Sequence, residues 1–219
     1  MQVPHAIAAI APDGRLVPRQ RRQFLIEMCK RRIRPGTGSA PEFLRRRTAM
    51  NSWPDLRGVL EGIRWLIVGG VATRAYMPER STKDMDVLVR QEDEQTVLSR
   101  LKAAGYEVVS PLTVGGWLAR SPKGVELDIL LGHQEWLDEA LAHPHLDPAG
   151  YPVIDLPYLV LMKLEASRSL DIGDLGRLLG LAADAELDRV RQAVKHYAPQ
   201  DSEDLESLIY LGKLELGHV

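Results

Sequence analysis

Four consecutive apolar residues, Trp65-Leu66-Ile67-Val68, run straight into Gly69-Gly70, and this junction limits the folds open to the chain more than any other stretch. A run that is apolar at every position reads as a strand buried on both faces, here over 63–68. The two glycines end it and let the backbone approach a ligand closely. Residues 71–77 read as a short helix stopped by Pro78, and polar residues 79–83 read as a loop. Asp84-Met85-Asp86-Val87-Leu88-Val89 then reads as a second strand. The unit is strand, Gly-Gly, helix, loop, strand, which requires a sheet covered by helices.

The flanking pattern extends this unit. Upstream, Ser52 as a cap, Pro54 in the first turn, the stripe Leu56, Val59, Leu60 and the stop Gly62 predict a helix. Downstream, 92–104 is an amphipathic helix, 106–110 a strand, and 116–120 with 125–131 a β-hairpin turned by Ser121-Pro122-Lys123-Gly124. Helical patterns follow over 134–142, 156–169, 171–182, 185–197 and 201–214, with Pro144, Pro148, Pro152 and Pro199 in the connections. The expected fold class is α+β: a mixed β-sheet domain with flanking helices over 50–132, then a helical domain over 133–219. No apolar stretch approaches the roughly 20 residues that span a bilayer. With no secretory-type apolar region and one cysteine, Cys29, the expectation is a cytoplasmic chain without a membrane partner.

Charge divides the chain. Residues 1–48 carry a net charge of +8 and the remainder −10. The basic part holds Arg19-Gln20-Arg21-Arg22, Lys30-Arg31-Arg32-Ile33-Arg34 and Arg45-Arg46-Arg47, and Pro35 to Pro41 interrupts any long helix, leaving a short one over about 19–32. Three readings of 1–49 stand: an arm contacting a polyanion, a solvated disordered extension, or an upstream start-site artefact, since the well-patterned sequence begins at Met50. Charge runs are usually solvated, so the expectation is the extension or the artefact.

The chemistry lies in the carboxylates. On a strand, residues two apart share a face, so Asp84 and Asp86 project together, and on 125–131 Glu126 and Asp128 do the same. Like charges a few ångströms apart repel unless a cation joins them, and hard oxygen ligands suit Mg²⁺ or Mn²⁺. One Asp-x-Asp is commonly an ordinary solvated pair. What raises it here is Gly69-Gly70 between a buried strand and a helix, where backbone amides can hold a phosphate. The glycines are neither a dinucleotide-binding fingerprint nor a P-loop, since no third glycine and no Gly-Lys-Ser/Thr follows.

Val68-Gly69-Gly70-Val71-Ala72, Arg80-Ser81-Thr82-Lys83-Asp84-Met85-Asp86-Val87-Leu88-Val89 and Glu126-Leu127-Asp128-Ile129-Leu130 together resemble the nucleotidyltransferases of the DNA polymerase β-like superfamily. The stretch from Leu156 to Leu175, with Lys163, Arg168, Asp171 and Asp174, resembles the helical segment of AbiEii-type transferases, which include toxins of type IV toxin–antitoxin systems. The resemblance covers about 52–180 and nothing before 50. It implies a nucleotidyltransferase-like sheet, Asp84, Asp86 and Asp128 as catalytic metal ligands, Gly69 and Gly70 on the triphosphate, and Lys163 on a phosphate. It implies Arg80 and Thr82 as substrate contacts, with Glu126, Arg168, Asp171 and Asp174 as accessory candidates. Many superfamily members have Gly-Ser where this chain has Gly-Gly-Val-Ala, a form common in the AbiEii-like branch.

The implied activity is Mg²⁺- or Mn²⁺-dependent transfer of NMP from an NTP to a hydroxyl on RNA, such as a tRNA end, or on a protein, with a cognate antitoxin as partner. The alternatives are a small-molecule nucleotidyltransferase of aminoglycoside-modifying kind and a non-catalytic relative that binds nucleotide or a partner. Against these stand plainer readings: Lys163 as an exposed stem on a packed helix, and Arg168, Asp171 and Asp174 as a capping and ion-pair group. His133, His143 and His145 lack metal-ligand spacing, and Trp117 and Trp136 read as packing residues.

Overall fold

The computed structural model describes residues 8–9, 11, 15–33, 35–36, 53–78, 82 and 84–217, so Ser52, Arg80 and the run Arg45-Arg46-Arg47 lie outside the described residues. The chain forms two compact units, Met1–Ser39 with Val160–Val219, and Ala40–Leu159.

The Ala40–Leu159 unit is built on a mixed seven-stranded sheet of order β3-β4-β5-β2-β1-β7-β6. The strands are β1 Trp65–Val68, β2 Asp84–Arg90, β3 Glu107–Pro111, β4 Gly116–Arg120, β5 Glu126–Gly132, β6 His145–Leu146 and β7 Pro152–Val153. All four residues of β1 are buried, as its unbroken apolar run requires. β1 pairs antiparallel with β2, while β2 pairs parallel with β5 from Asp84↔Glu126 to Arg90↔Gly132. The expected hairpin is present as β4–β5, closed by Ser121 N–H donating to Val125 O at 2.8 Å and Gly124 N–H to Ser121 O at 2.8 Å. The Glu94–Ala103 helix buries Val97, Leu98 and Leu101. The mixed sheet, flanking helices and C-terminal helical region agree with the α+β expectation.

Three local expectations change. The helix predicted from Ser52 is replaced over 57–62 by turns: Leu60 N–H still donates to Leu56 O at 2.8 Å, but Gly58 interrupts the stripe and Gly62 turns at φ +77°. The Pro-rich connection after 142 contains a strand pair instead. The Asp147 carboxylate accepts from Ala149 N–H at 2.9 Å and Tyr151 N–H at 2.8 Å, and Pro152 is tolerated as the first residue of β7. Because β7 joins β1 through Ile67↔Val153, the chain divides at 159/160 and not at 132/133.

The second unit contains the helices Pro18–Arg32, Ser169–Leu181, Asp184–Tyr197 and Ser202–Glu215. Ser169–Leu181 and Ser202–Glu215 approach so closely that a Cβ on Gly212 would lie 2.0 Å from Gly176 O. The short helix expected over about 19–32 is present as Pro18–Arg32, and within it Arg22 is a structural residue: its side chain is 2% exposed. Its guanidinium donates to Asp204 Oδ2 at 2.9 Å and Ser167 Oγ at 2.8 Å, and also to Asp201 Oδ1 and Leu164 O. Ser167 adopts φ +46°, the left-handed turn that ends the Leu156–Ala166 helix. Charge counting could not find this, since the partners lie far along the chain. Among the described residues no helix is long and apolar enough to cross a membrane.

Removing one partner of a buried ion pair strands the other. Arg22→Met is therefore expected to destabilise the protein by about 3–5 kcal/mol in urea denaturation. A chain begun at Met50 should lose the cooperative unfolding of the helical unit, and an unchanged transition in either variant would contradict the role given to Arg22.

Candidate active site

Two rows of side chains cross the same face of the sheet. One is Asp84 on β2, Glu126 on β5, Arg120 on β4 and Glu107 on β3; the next is Val68 on β1, Asp86 on β2, Asp128 on β5, Leu118 on β4 and Ser110 on β3. Residues between them face the other way, and Met85, Leu127 and Ala119 there are fully buried. Asp84, Asp86, Glu126 and Asp128 thus form a two-by-two array, about 4.8 Å between strands and about 6.6 Å along them. The parallel β2–β5 register is what sets these four positions side by side on one face.

Each carboxylate has a distinct environment. Asp84 Oδ1 accepts from Thr82 Oγ1 at 2.9 Å, which fixes its orientation. Asp86 rests against the backbone of Gly69, whose φ is +63° and where a Cβ would stand 1.9 Å from Asp86 Oδ2. Burial, and then the charges of Asp84 and Glu126, push the Asp128 carboxyl above its ordinary value of 3.8. Glu126 is exposed, and its Oε1 lies 3.7 Å from Arg120 Nη2.

After Gly69-Gly70 the helix is only Gly69–Ala72, continuing as a 3-10 turn, Thr73–Ala75, where the sequence predicts a helix over 71–77. So short a helix has little dipole, and a phosphate there would be held by the turn amides themselves.

The residues present fit a divalent cation in their chemistry: hard oxygen donors, crowded and mutually repelling. Among the described residues, no three His, Cys, Asp or Glu groups are already gathered as a metal cage, so the Asp side chains must turn toward a common point to share one ion. A cavity of about 430 Å³ lies elsewhere in this unit, lined by Trp53, Ile67, Val71, Arg74, Met85 and Tyr151, and so belongs to the face opposite the carboxylates.

The remaining candidates lie in the other unit. Lys163 is buried and donates to Asp174 Oδ2 at 2.7 Å and to Asp171 Oδ1 at 3.3 Å, and Arg168 Nε donates to Asp171 Oδ2 at 2.7 Å. Burial alone would raise the Asp171 carboxyl, but the hydrogen bond from Arg168 and the charge of Lys163 outweigh it and hold it below the ordinary value. Lys163 is therefore not the exposed stem of the plainer reading. Trp117 Nε1 donates to Glu94 Oε1 at 2.7 Å and Trp136 stacks on Tyr158 with ring centroids 5.6 Å apart, which makes both packing residues.

No family model and no curated protein matches the chain. Among solved structures it is similar to the solution structure of the antibiotic-resistance factor ANT(2'')-Ia, at 19% identity over 69% of this chain and 82% of that one, with a TM-score of 0.39. It is similar also to a crystal structure of ANT(2")-Ia in complex with adenylyl-2"-tobramycin, at 19% identity over 69% and 87% of the chains, with a TM-score of 0.37.

Two outcomes follow from this geometry. Gly69→Ala combines left-handed strain of roughly 1–2 kcal/mol with a clash that displaces Asp86. It should lower divalent-metal affinity at least tenfold, on the order of the loss seen when ligand-orienting groups are removed, as read by Mn²⁺ titration. Asp128 binds its proton more tightly folded than unfolded, so its ionisation lowers stability as pH rises from the ordinary carboxyl value through the raised one. Asp128→Asn should therefore raise the thermal midpoint of the metal-free protein at pH 7, with the gain shrinking as pH falls toward 4.

Proposed function

We propose that this chain is a divalent-metal-dependent nucleotidyltransferase that moves NMP from an NTP to a hydroxyl. The observation that carries the reading is the in-register array of Asp84, Asp86 and Asp128, set beside a glycine turn whose backbone touches Asp86. Asp84, Asp86 and Asp128 would hold Mg²⁺ or Mn²⁺, which when bound acidifies the acceptor hydroxyl and offsets charge on the α-phosphate and the departing pyrophosphate. Thr82 holds the Asp84 carboxylate by a hydrogen bond, and Gly69 leaves room for Asp86. Asp128 is the proposed general base for the acceptor proton. The acceptor oxygen bonds to the α-phosphorus, the bond to the bridging oxygen breaks, and pyrophosphate leaves with its electrons. The turn amides of Gly69-Gly70 are the proposed phosphate contacts, whereas Lys163 is already engaged by Asp171 and Asp174.

The acceptor divides the reading. RNA or a protein, in a type IV toxin restrained by an antitoxin, follows from the sequence resemblance. A small cationic molecule with free hydroxyls, of the aminoglycoside kind, is favoured by the two rows themselves, which among the described residues hold Glu107, Asp84, Asp86, Glu126 and Asp128 with Arg120. An acidic face attracts a polyamine and repels a phosphate backbone.

The test incubates the full-length protein with Mg²⁺ and each α-labelled NTP, offering aminoglycosides, total RNA and total protein separately. Label on the small molecule, reduced on the order of 10²–10³-fold in Asp84→Asn/Asp86→Asn, is the expected result. Label on RNA or protein would replace the small-molecule acceptor with the toxin reading. Nucleotide binding without transfer to any acceptor would leave a non-catalytic nucleotide binder.

A further inference from the structure

We infer that Arg120 acts as a positioning residue that withholds Glu126 from the metal, leaving Asp84, Asp86 and Asp128 as a three-carboxylate site. The inference rests on the proposed reading of this face and assigns the fourth carboxylate a different partner. In its row Glu126 has Asp84 on one side and Arg120 on the other. Arg120 Nη2 lies 3.7 Å from Glu126 Oε1, and Arg120 Nη1 donates to Glu107 Oε2 at 3.2 Å. The guanidinium is thus held between two carboxylates, a role suited to a planar fork with several fixed donors. With Glu107 as its outer anchor, Arg120 offers Glu126 a cationic partner on the side of the row opposite Asp84.

The consequence is a coordination count. Mg²⁺ takes six ligands in near-ideal octahedral geometry and in phosphate-handling sites uses one or two carboxylates, keeping its other positions for water and phosphate oxygens. Three aspartates serving metal leave room for a triphosphate. A glutamate, one methylene longer and adjacent to Asp84, would fill another position and add a negative charge where the triphosphate must bind. The cation on β4 therefore determines how many protein oxygens reach the metal, although it touches neither metal nor substrate itself.

A double-mutant cycle on the full-length protein tests this, with Mn²⁺ alone as probe and binding read from the loss of the free-ion electron paramagnetic resonance signal. Glu126→Gln should change the Mn²⁺ Kd by less than about threefold, Arg120→Gln should tighten it by more than about threefold, and that tightening should vanish in the Glu126→Gln background. Arg120→Lys, which keeps the cation, should bind as the parent does. In steady-state assays Arg120→Gln should raise KM for the NTP, and adding Glu126→Gln should restore it. Both side chains are exposed, and near-UV circular dichroism confirms that each variant is folded. Weakening by more than about threefold in Glu126→Gln would make Glu126 a ligand and overturn the inference. So would an Arg120→Gln variant that binds Mn²⁺ unchanged or more weakly, or tightening that persists without Glu126, which would be a general charge effect. Parent-like Mn²⁺ binding by Asp84→Asn/Asp86→Asn is a separate failure, of the metal reading itself.

Discussion

The parallel pairing of β2 with β5 brings four negative charges together on one sheet face, and the rest of the site is arranged around that repulsion. Two unit charges about 5 Å apart repel by about 3 kcal/mol at an effective dielectric of 20. The register is held from behind, where Met85, Val87, Leu127 and Ile129 are buried. A slip of one residue would exchange these side chains with the acids and place carboxylates in the core. Together these four side chains contribute on the order of 6–12 kcal/mol by leaving water, which outweighs any single repulsive pair. The six pairs among four carboxylates are another matter, and the structure relieves them locally: Asp128 keeps its proton to higher pH, and Glu126 faces Arg120.

The helical unit treats charge in the opposite way. Arg22 is matched by Asp201 and Asp204, and Lys163 by Asp171 and Asp174, with almost no exposure on either cation. Burying a charge is tolerable only when its partner is equally well placed, so these groups define how helices meet. Charges that hold a fold together are paired to completion. The aspartates of β2 and β5 are instead half-buried and crowded on one sheet face.

The legible part of the molecule was the part written in short-range pattern. Alternation on β2 and β5 identified the shared faces of Asp84 with Asp86 and of Glu126 with Asp128, and the Ser121–Gly124 turn identified the hairpin. The alignment of Asp86 with Asp128 was not legible, because parallel strands some forty residues apart carry no local signal of register. The contact between Gly69 and Asp86 was hidden for the same reason: Gly-Gly marks permissive backbone, not what approaches it. Arg120 could have been found by extending the hairpin pairing one residue past its turn, which sets it opposite Glu126. The β6–β7 pair was obscured by three prolines, and Arg22 was indistinguishable from its basic neighbours because burial is decided by residues elsewhere in the chain.

The bond between Arg22 and Asp204 spans 182 residues, and this has a bearing on synthesis. The Pro18–Arg32 helix leaves the ribosome early, whereas its acidic partners emerge near the end. At about 5–20 residues per second the helix waits roughly 10–35 s, with Ile26 and the arginine face uncovered, before it can dock. The strands from Trp65 to Val153 are translated within that interval, and domains generally fold as units in order of synthesis. A chain stalled before residue 201 therefore carries a finished carboxylate array and a helical unit still open. The newborn protein acquires its acidic face first and closes its helical unit last.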